Sequence, residues 1–290
     1  MDNCSIALGT FDGLHKGHMA VLNRVRSEKG RPVALTFALP PRLSLKGGSP
    51  ELLITPEDKK RRLAALGIQP EMMCFSQIKN LSPAQFLERL IDRFHPALIV
   101  SGFNFRFGSG AKGTPDFLRT FCAERGIAYA DIPPVEWENA PVSSTRIREA
   151  VKMGDMALAR NMLGRHFGFE SPIIHGDARG RTIGFPTVNQ VYPEQLVTPR
   201  FGVYASNTVI DGVIYRSVTN IGKRPTFATD YVISETHLFD YEGDLYGKSA
   251  EILLTGFIRD ETRFDSLEAL KDAIARDKRT AREMDCPPSR

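Results

Sequence analysis

The sequence predicts an α/β domain followed by an all-β domain. Three observations carry this: the length, an alternation of strands and helices in the first half, and a change to short alternating strands near residue 165. At 290 residues the chain fits two domains better than one, since a typical domain holds roughly 100–200 residues. Its composition, 42% hydrophobic and 25% charged, is that of a globular chain with a sizeable core. Long disorder, a collagen repeat and a coiled coil are excluded on that composition. The expected domains are 1–165 and 166–290.

In the first half, Ser5 to Thr10 and Pro32 to Phe37 read as buried strands. Between them, Val21, Leu22 and Val25 share one face of a helix over His18 to Val25. Thr55-Pro56 starts a helix that Gly67 stops. Ser82-Pro83 with Gln85 forms an S-x-x-Q capping box, and Thr114-Pro115 opens a helix closed by Gly126. Ala97 to Ser101 and Ile127 to Ile132 supply further strands, so a parallel, doubly wound sheet is expected. Arg146 to Met153 and Met156 to Leu163 read as two short helices.

From Ser171 onward the strand candidates are Gly202 to Ile210, Val213 to Asn220, Tyr231 to Phe239 and Ala250 to Phe257. Their spacing suggests a small antiparallel barrel or sandwich. A last helix is expected with Asp265 and Glu268 as its cap and Leu267, Leu270 and Ile274 as its buried face.

Charge and cysteines narrow the partners. Residues 1–150 carry 20 basic and 15 acidic side chains, and residues 151–290 carry 18 and 19. That imbalance suits at most a phosphate-bearing small ligand, and no nucleic-acid partner is expected. No apolar run approaches the length that spans a bilayer, so no membrane partner is expected either. Cys4, Cys74, Cys122 and Cys286 show neither disulfide nor zinc spacing, which points to the cytoplasm.

Two segments carry chemistry. Gly9 to His18 reads GTFDGLHKGH at a strand-to-helix junction, where open parallel sheets bind ligands. Gly9 and Gly13 permit a tight turn and a close backbone approach, and the helix N-terminus offers N–H groups to phosphate. His15 and His18, three apart, can point to one phosphate. Together these residues form a nucleotidyltransferase H-x-G-H signature. VSSTRIR (Val142 to Arg148) supplies Ser144 and Thr145 as helix caps and Arg148 as a triphosphate contact. A class I aminoacyl-tRNA synthetase shares part of this pattern but would also carry a K-M-S-K-S-like loop, which is absent. VSGFNFRFGSGAKG (Val100 to Gly113) suits either a strand ending in a ligand-facing loop or an aromatic hairpin.

In the second half, Gly180 to Asn189 reads GRTIGFPTVN. Thr187 and Asn189 face one side of an extended segment and offer hard oxygen ligands to Mg²⁺; an ordinary Pro-Thr loop fits these residues as well. Glu235, in SETHLFDYEGDLYG (Ser234 to Gly247), is a candidate base for a hydroxyl attacking a γ-phosphate, with a solvated strand carboxylate as the plainer alternative.

Taken in order, GTFDGLHKGH, VSGFNFRFG, VSSTRIR, GDMALARNMLGRHF, GRTIGFPTVN, GVYA, NIGKRPTF, ETHLFDYEGDLYG and FIRDETRFDSLEAL closely resemble the prokaryotic bifunctional riboflavin kinase/FMN adenylyltransferase family over nearly the whole chain. The resemblance implies a Rossmann-like domain that transfers AMP from ATP to FMN, giving FAD and pyrophosphate. There Gly9, Phe11, His15, His18, Ser144, Thr145 and Arg148 would hold ATP, with Asn104 and Arg106 toward the flavin. It also implies a six-stranded riboflavin-kinase barrel with a C-terminal helix. In that barrel Gly184, Pro186, Thr187 and Asn189 would hold Mg-ATP, Glu235 would be the base, and Arg259 and Phe264 would contact the flavin. Riboflavin, FMN and ATP are the implied partners, and Mg²⁺ the implied metal. Three departures stand out: P-T-A-N reads P-T-V-N, many relatives have Asp where Asn104 stands, and the T-F-x-P-H-P-like segment reads TFALPP (Thr36 to Pro41) without its His. The last borders the expected flavin site and keeps open a version with one activity. An RNA-binding barrel is a further alternative, disfavoured by the acidic balance of that half.

Overall fold

The computed structural model describes residues 3–40, 50–175, 185–224 and 231–284. The chain divides into two compact units, Met1–Ser144 and Thr145–Arg290. Composition places the boundary near 165 instead; the two short helices before that point group by their contacts with the second unit.

The first unit is a parallel five-stranded sheet. Its strands are β1 (Cys4–Leu8), β2 (Arg31–Phe37), β3 (Gln69–Met73), β4 (Pro96–Gly102) and β5 (Ala128–Ile132), in the order β3-β2-β1-β4-β5. The helices are α1 (Lys16–Arg26), α2 (Pro56–Ala65), the short α3 (Phe75–Ile78), α4 (Pro83–Phe94) and α5 (Pro115–Ala123). Strand alternation sorts the core. Ile6 and Leu8 pack on one face with Leu87 and Leu90 of α4 and Leu118 of α5. Ala7 packs on the other with Val21, Leu22 and Val25 of α1 and Leu63 of α2. Helices on both faces therefore follow from a near-continuous apolar run in each inner strand.

The helix ends are those the residue types dictate. Thr55, Ser82 and Thr114 each accept a first-turn N–H, and Gln85 completes a capping box with Ser82. The chain winds outward from β1 to β2 on one side and β4 on the other, so the sheet order switches at β1/β4. That switch point fixes where a ligand crevice opens. A two-strand hairpin, β6 (Glu136–Trp137) with β7 (Ala140–Pro141), completes the unit.

The second unit opens with all but the first residue of α6 (Ser144–Met153) and with α7 (Met156–Leu163). A closed antiparallel barrel follows, made of β8 (Phe167–Ile174), β9 (Val188–Val191), β10 (Gly202–Ile210), β11 (Val213–Arg224), β12 (Tyr231–Leu238) and β13 (Ser249–Arg259). Its order is β10-β11-β12-β9-β8-β13, closed by pairing of β13 with β10. Closure removes the unpaired edges an open sheet would expose.

The barrel interior holds a hydroxyl ladder. Ser206 bonds Ser217 and Thr219, each at 2.8 Å, Thr208 bonds Ser217 at 2.8 Å, and Thr219 bonds Thr236 at 2.9 Å. All five side chains are buried, so each hydroxyl depends on its neighbours.

The final helix, α8 (Leu267–Glu283), corrects two expectations. Its N-cap is Ser266, whose hydroxyl accepts the Ala269 N–H at 3.1 Å, not Asp265. Its buried residues are Ala273, Asp277 and Ala281, whereas Leu267 is 57% exposed and Leu270 and Ile274 are half-buried. Small alanines permit close approach to the barrel, and Asp277 is buried because Arg259 pairs with it, so polarity alone picked the wrong stripe.

Thr219→Val keeps the shape of the side chain but breaks two ladder bonds. It is expected to destabilise the barrel by about 1–3 kcal/mol, read as a lower urea midpoint at unchanged slope.

Candidate functional sites

In the first unit, the loop from Gly9 to His15 leaves the carboxyl end of β1 and feeds α1. Phe11 (φ 48°), Gly13 (φ 87°) and Leu14 (φ 45°) all lie in the left-handed region. Two of these are not glycine, a conformation that costs of order 1–3 kcal/mol each and is held by the burial of both side chains. At Gly9 a Cβ would fall 2.9 Å from the Phe11 ring, so that ring can fold over the turn only because the position is glycine.

This turn delivers two imidazoles to one point. His15 is the N-cap of α1, its Nδ1 accepting the His18 backbone N–H at 3.3 Å. The His15 and His18 rings stack with centroids 3.5 Å apart and 17° between planes, and Phe11 meets His18 edge-on at 5.4 Å. His18 is held well below the usual histidine pKa of 6.5, first by burial, then by the neighbouring His15 and the Lys59 ammonium. His18 Nδ1 is buried without a hydrogen-bond partner among the described residues. A stacked pair at a helix N-terminus is suited to one anionic group lying against both rings.

The remaining expected residues of this unit fall as follows. Ser144 donates its hydroxyl to the Asp12 carbonyl at 2.9 Å, so it braces the loop from within. Asp12 Oδ1 accepts the Leu53 N–H at 2.9 Å. Asn104 and Arg106 are exposed on the loop after β4, which leaves the same sheet edge as the His15 loop because β1 and β4 are parallel neighbours. In that loop Phe107 is buried and stacks on Phe105 at 5.6 Å, so the segment is an aromatic-anchored loop with its polar residues turned outward. Thr145 is exposed and Arg148 half-buried; both belong to the second unit. Of the TFALPP segment, Pro41 lies outside the described residues, while Thr36 is buried with its hydroxyl on the Thr10 carbonyl at 2.8 Å.

In the second unit, strand register assembles the site. Glu235 on β12 lies opposite Asn189 on β9 and Asn220 on β11, so three polar side chains cross three adjacent strands in one row. Thr236 and Ser234 on the alternate positions are fully buried, whereas Glu235 and Asn220 are half-buried and Asn189 is 6% exposed. Thr187 precedes Asn189 by two and is half-exposed. Gly184 lies outside the described residues. Glu261 closes the end of the row: Asn220 donates to it at 3.4 Å, and a Cβ on Gly222 would fall 2.1 Å from its carboxylate oxygen.

His237, two residues from Glu235 on the same face, was not among the expected site residues. Its Nδ1 lies 2.9 Å from the Pro186 carbonyl, which can only accept, so Nδ1 carries the proton. Its ring also meets Phe185 edge-on at 5.6 Å, anchoring the start of the Pro186–Asn189 segment. Burial pushes the His237 pKa down. Arg259 pairs with Asp277 of α8 at 3.0 and 2.8 Å and lies 5.5 Å over the Phe264 ring, so this pair ties α8 to the barrel.

The depressed His18 pKa has a consequence for acid stability. The unfolded chain takes up a proton near 6.5 that folded His18 refuses, so stability falls as pH drops below 6.5. His18→Asn is expected to flatten that slope for the first unit's transition, measured by denaturation at a series of pH values.

Comparisons with known proteins agree with this two-part geometry. A riboflavin kinase family model matches residues 163–285, and a FAD synthetase family model matches residues 1–146. Curated proteins called bifunctional riboflavin kinase/FMN adenylyltransferase are similar over nearly their whole length. The Pseudomonas fluorescens protein is 35% identical, covering 98% of this chain and 94% of its own. That of Bacillus subtilis is 35% identical, with 95% and 90% covered, and that of Escherichia coli K12 is 35% identical, with 98% and 93% covered. A crystal structure from Streptococcus pneumoniae, described as a macrolide-efflux protein, superposes with a TM-score of 0.89 at 32% identity, covering 98% of this chain and 95% of that one. Among the described residues of this chain, no helix is long and apolar enough to cross a membrane. With matching models on both halves and relatives at this identity end to end, the chain belongs to the bifunctional riboflavin kinase/FMN adenylyltransferase family.

Proposed function

We propose that this protein converts riboflavin to FMN and then FMN to FAD, one step in each half of the chain. The observation that supports the reading is that each half gathers its own cluster of motif side chains. One is the stacked His15–His18 pair at a sheet switch point, and the other is the Asn189–Glu235–Asn220 row on the barrel.

In the barrel, the riboflavin 5′-hydroxyl oxygen attacks the γ-phosphorus of ATP. Glu235 accepts the hydroxyl proton, the bond from γ-phosphorus to its bridging oxygen breaks, and ADP leaves. Thr187 and Asn189 supply neutral, hard oxygens on a short extended segment, a donor set that fits Mg²⁺ shared with ATP phosphates. When bound, Mg²⁺ offsets phosphate charge. His237 holds the Pro186 carbonyl and so sets the start of that segment.

In the first unit, a phosphate oxygen of FMN attacks the α-phosphorus of ATP and pyrophosphate departs. No protein nucleophile is needed, and catalysis is positioning and charge neutralisation. Gly9, Phe11, His15 and His18 bind the triphosphate, with Ser144 setting the loop. Asn104 and Arg106 stand toward the flavin. We place the two functional domains at 1–165 and 166–290 and the protein in the cytoplasm, a reading supported by the free thiols of Cys4, Cys74 and Cys122.

Incubation with riboflavin, ATP and Mg²⁺, followed by chromatography of the flavins, is expected to yield FMN and then FAD. FMN alone would remove the second activity, and neither product would refute the enzyme reading. Glu235→Gln is expected to abolish FMN formation and leave FAD formation from supplied FMN. His18→Ala is expected to do the reverse. Loss of both activities in either variant would count against separate sites.

A further inference from the structure

Lys59 belongs to no motif in the sequence. It lies on the first turn of α2, among charged neighbours, yet only 1% of it is exposed. Its Nζ donates to the Thr10 carbonyl at 3.1 Å and to the Phe37 carbonyl at 2.5 Å. Thr10 is the second residue of the GTFDGLHKGH loop, and Phe37 is the last residue of β2. The ammonium thus joins the loop to the neighbouring strand end at the carboxyl edge of the sheet, where TFALPP departs from the family pattern.

Burying an ammonium is costly, and replacement by an apolar side chain of similar volume often leaves a protein as stable or more so. The cost is visible in Lys59 itself, whose pKa burial lowers to about 8 although the Asp12 carboxylate pulls it the other way. Stability alone therefore explains Lys59 poorly. Its position suggests a different reason. The Thr10 carbonyl also accepts the Thr36 hydroxyl at 2.8 Å, so two donors fix the one peptide immediately before Phe11 enters the left-handed region. Everything downstream of that peptide, through the strained turn to His15 and His18, takes its direction from it.

We propose that Lys59 is a positioning residue for nucleotidyl transfer, holding the Thr10 and Phe37 carbonyls together so that the loop presents His15 and His18 to the α-phosphate. The inference rests on the reading of this loop as the nucleotidyl-transfer site. It assigns to α2 a part in the reaction that no motif residue performs. The charge also reaches the imidazole pair, because Lys59 and His15 both oppose protonation of His18.

The test uses the full chain and compares wild type, Lys59→Met and His18→Ala in FAD formation from FMN and ATP, with riboflavin phosphorylation as the internal control. Lys59→Met is expected to lower kcat for FAD formation by about 30-fold, roughly 2 kcal/mol in the barrier, with riboflavin phosphorylation unchanged. In the folded variant, the NMR titration of the His18 ring is expected to move upward, because a nearby positive charge has gone. A wild-type kcat in Lys59→Met, with His18→Ala inactive, overturns the proposal. Lost activity with an unmoved His18 titration also overturns it, by making Lys59 purely structural. Full FAD formation by His18→Ala would instead refute the site reading on which the proposal rests. Should Lys59→Met lose the first unit's melting transition, Lys59→Gln, whose shorter amide removes the charge but keeps N–H donors, carries the same measurements and the same criteria.

Discussion

A backbone carbonyl left behind where a strand ends must still find a donor, and both candidate sites are organised by that need. Within a sheet the ladder satisfies each carbonyl, but at a carboxyl edge the chain turns away and its oxygens are orphaned. In the first unit the Thr10 carbonyl receives Lys59 and Thr36, the Phe37 carbonyl receives Lys59, and the Asp12 carbonyl receives Ser144. In the second unit the same need arises ahead of a strand: the Pro186 carbonyl, two residues before β9, receives His237. Each donor is a side chain from another element, so each bond fixes a loop to a scaffold. A loop pinned in this way has few ways to relax when a phosphate arrives, which is the preorganisation that charge-stabilising catalysis demands.

The fold was legible because its determinants are local and periodic. Val21, Leu22 and Val25 announce the buried face of α1, and Ser82 with Gln85 announces the start of α4; both signals rest on residues within a few positions of each other. Barrel strands such as Gly202–Ile210 stood out through turn residues and alternation. The stripe of α8 was misread because its burial depends on a distant partner. Asp277 faces inward only because Arg259, 18 residues earlier on β13, meets it there. No pattern within the helix encodes that pairing.

The sites show the same division. His15 and His18 are candidates from sequence because they sit in a dense motif at a strand-to-helix junction, and Thr187, Asn189 and Glu235 because they fall in compact polar motifs at or within short strands. Lys59 and His237 were missed because their roles are set by carbonyls brought near them in space. A lysine four residues past Thr55 on an acidic and basic helix reads as solvated. Only the packing of α2 against the sheet turns it inward to Thr10 and Phe37. For His237 a signal existed, since strand alternation puts it on the same face as Glu235, but nothing local revealed the Pro186 carbonyl as its partner. Motifs thus mark groups that would touch a substrate, while the groups that hold those motifs in place come from anywhere in the fold.

The two units meet opposite electrostatic demands, and their buried polar groups differ accordingly. The barrel interior carries a ladder of neutral hydroxyls that satisfy one another, and Glu235 stands on the alternate face for an uncharged acceptor, the riboflavin hydroxyl of the proposed first step. The first unit instead buries a cation beside two imidazoles, one of them held neutral, in a half with more basic than acidic side chains. Its proposed acceptor is the phosphate ester that the first step makes, and it must approach a triphosphate that repels it. Neutral imidazoles alone would leave much of that repulsion unscreened. An ammonium buried behind the loop acts in a lower dielectric than a solvated lysine does. The need to bring two anions together thus gives a physical reason for a buried charge in one unit and for its absence from the hydroxyl ladder of the other.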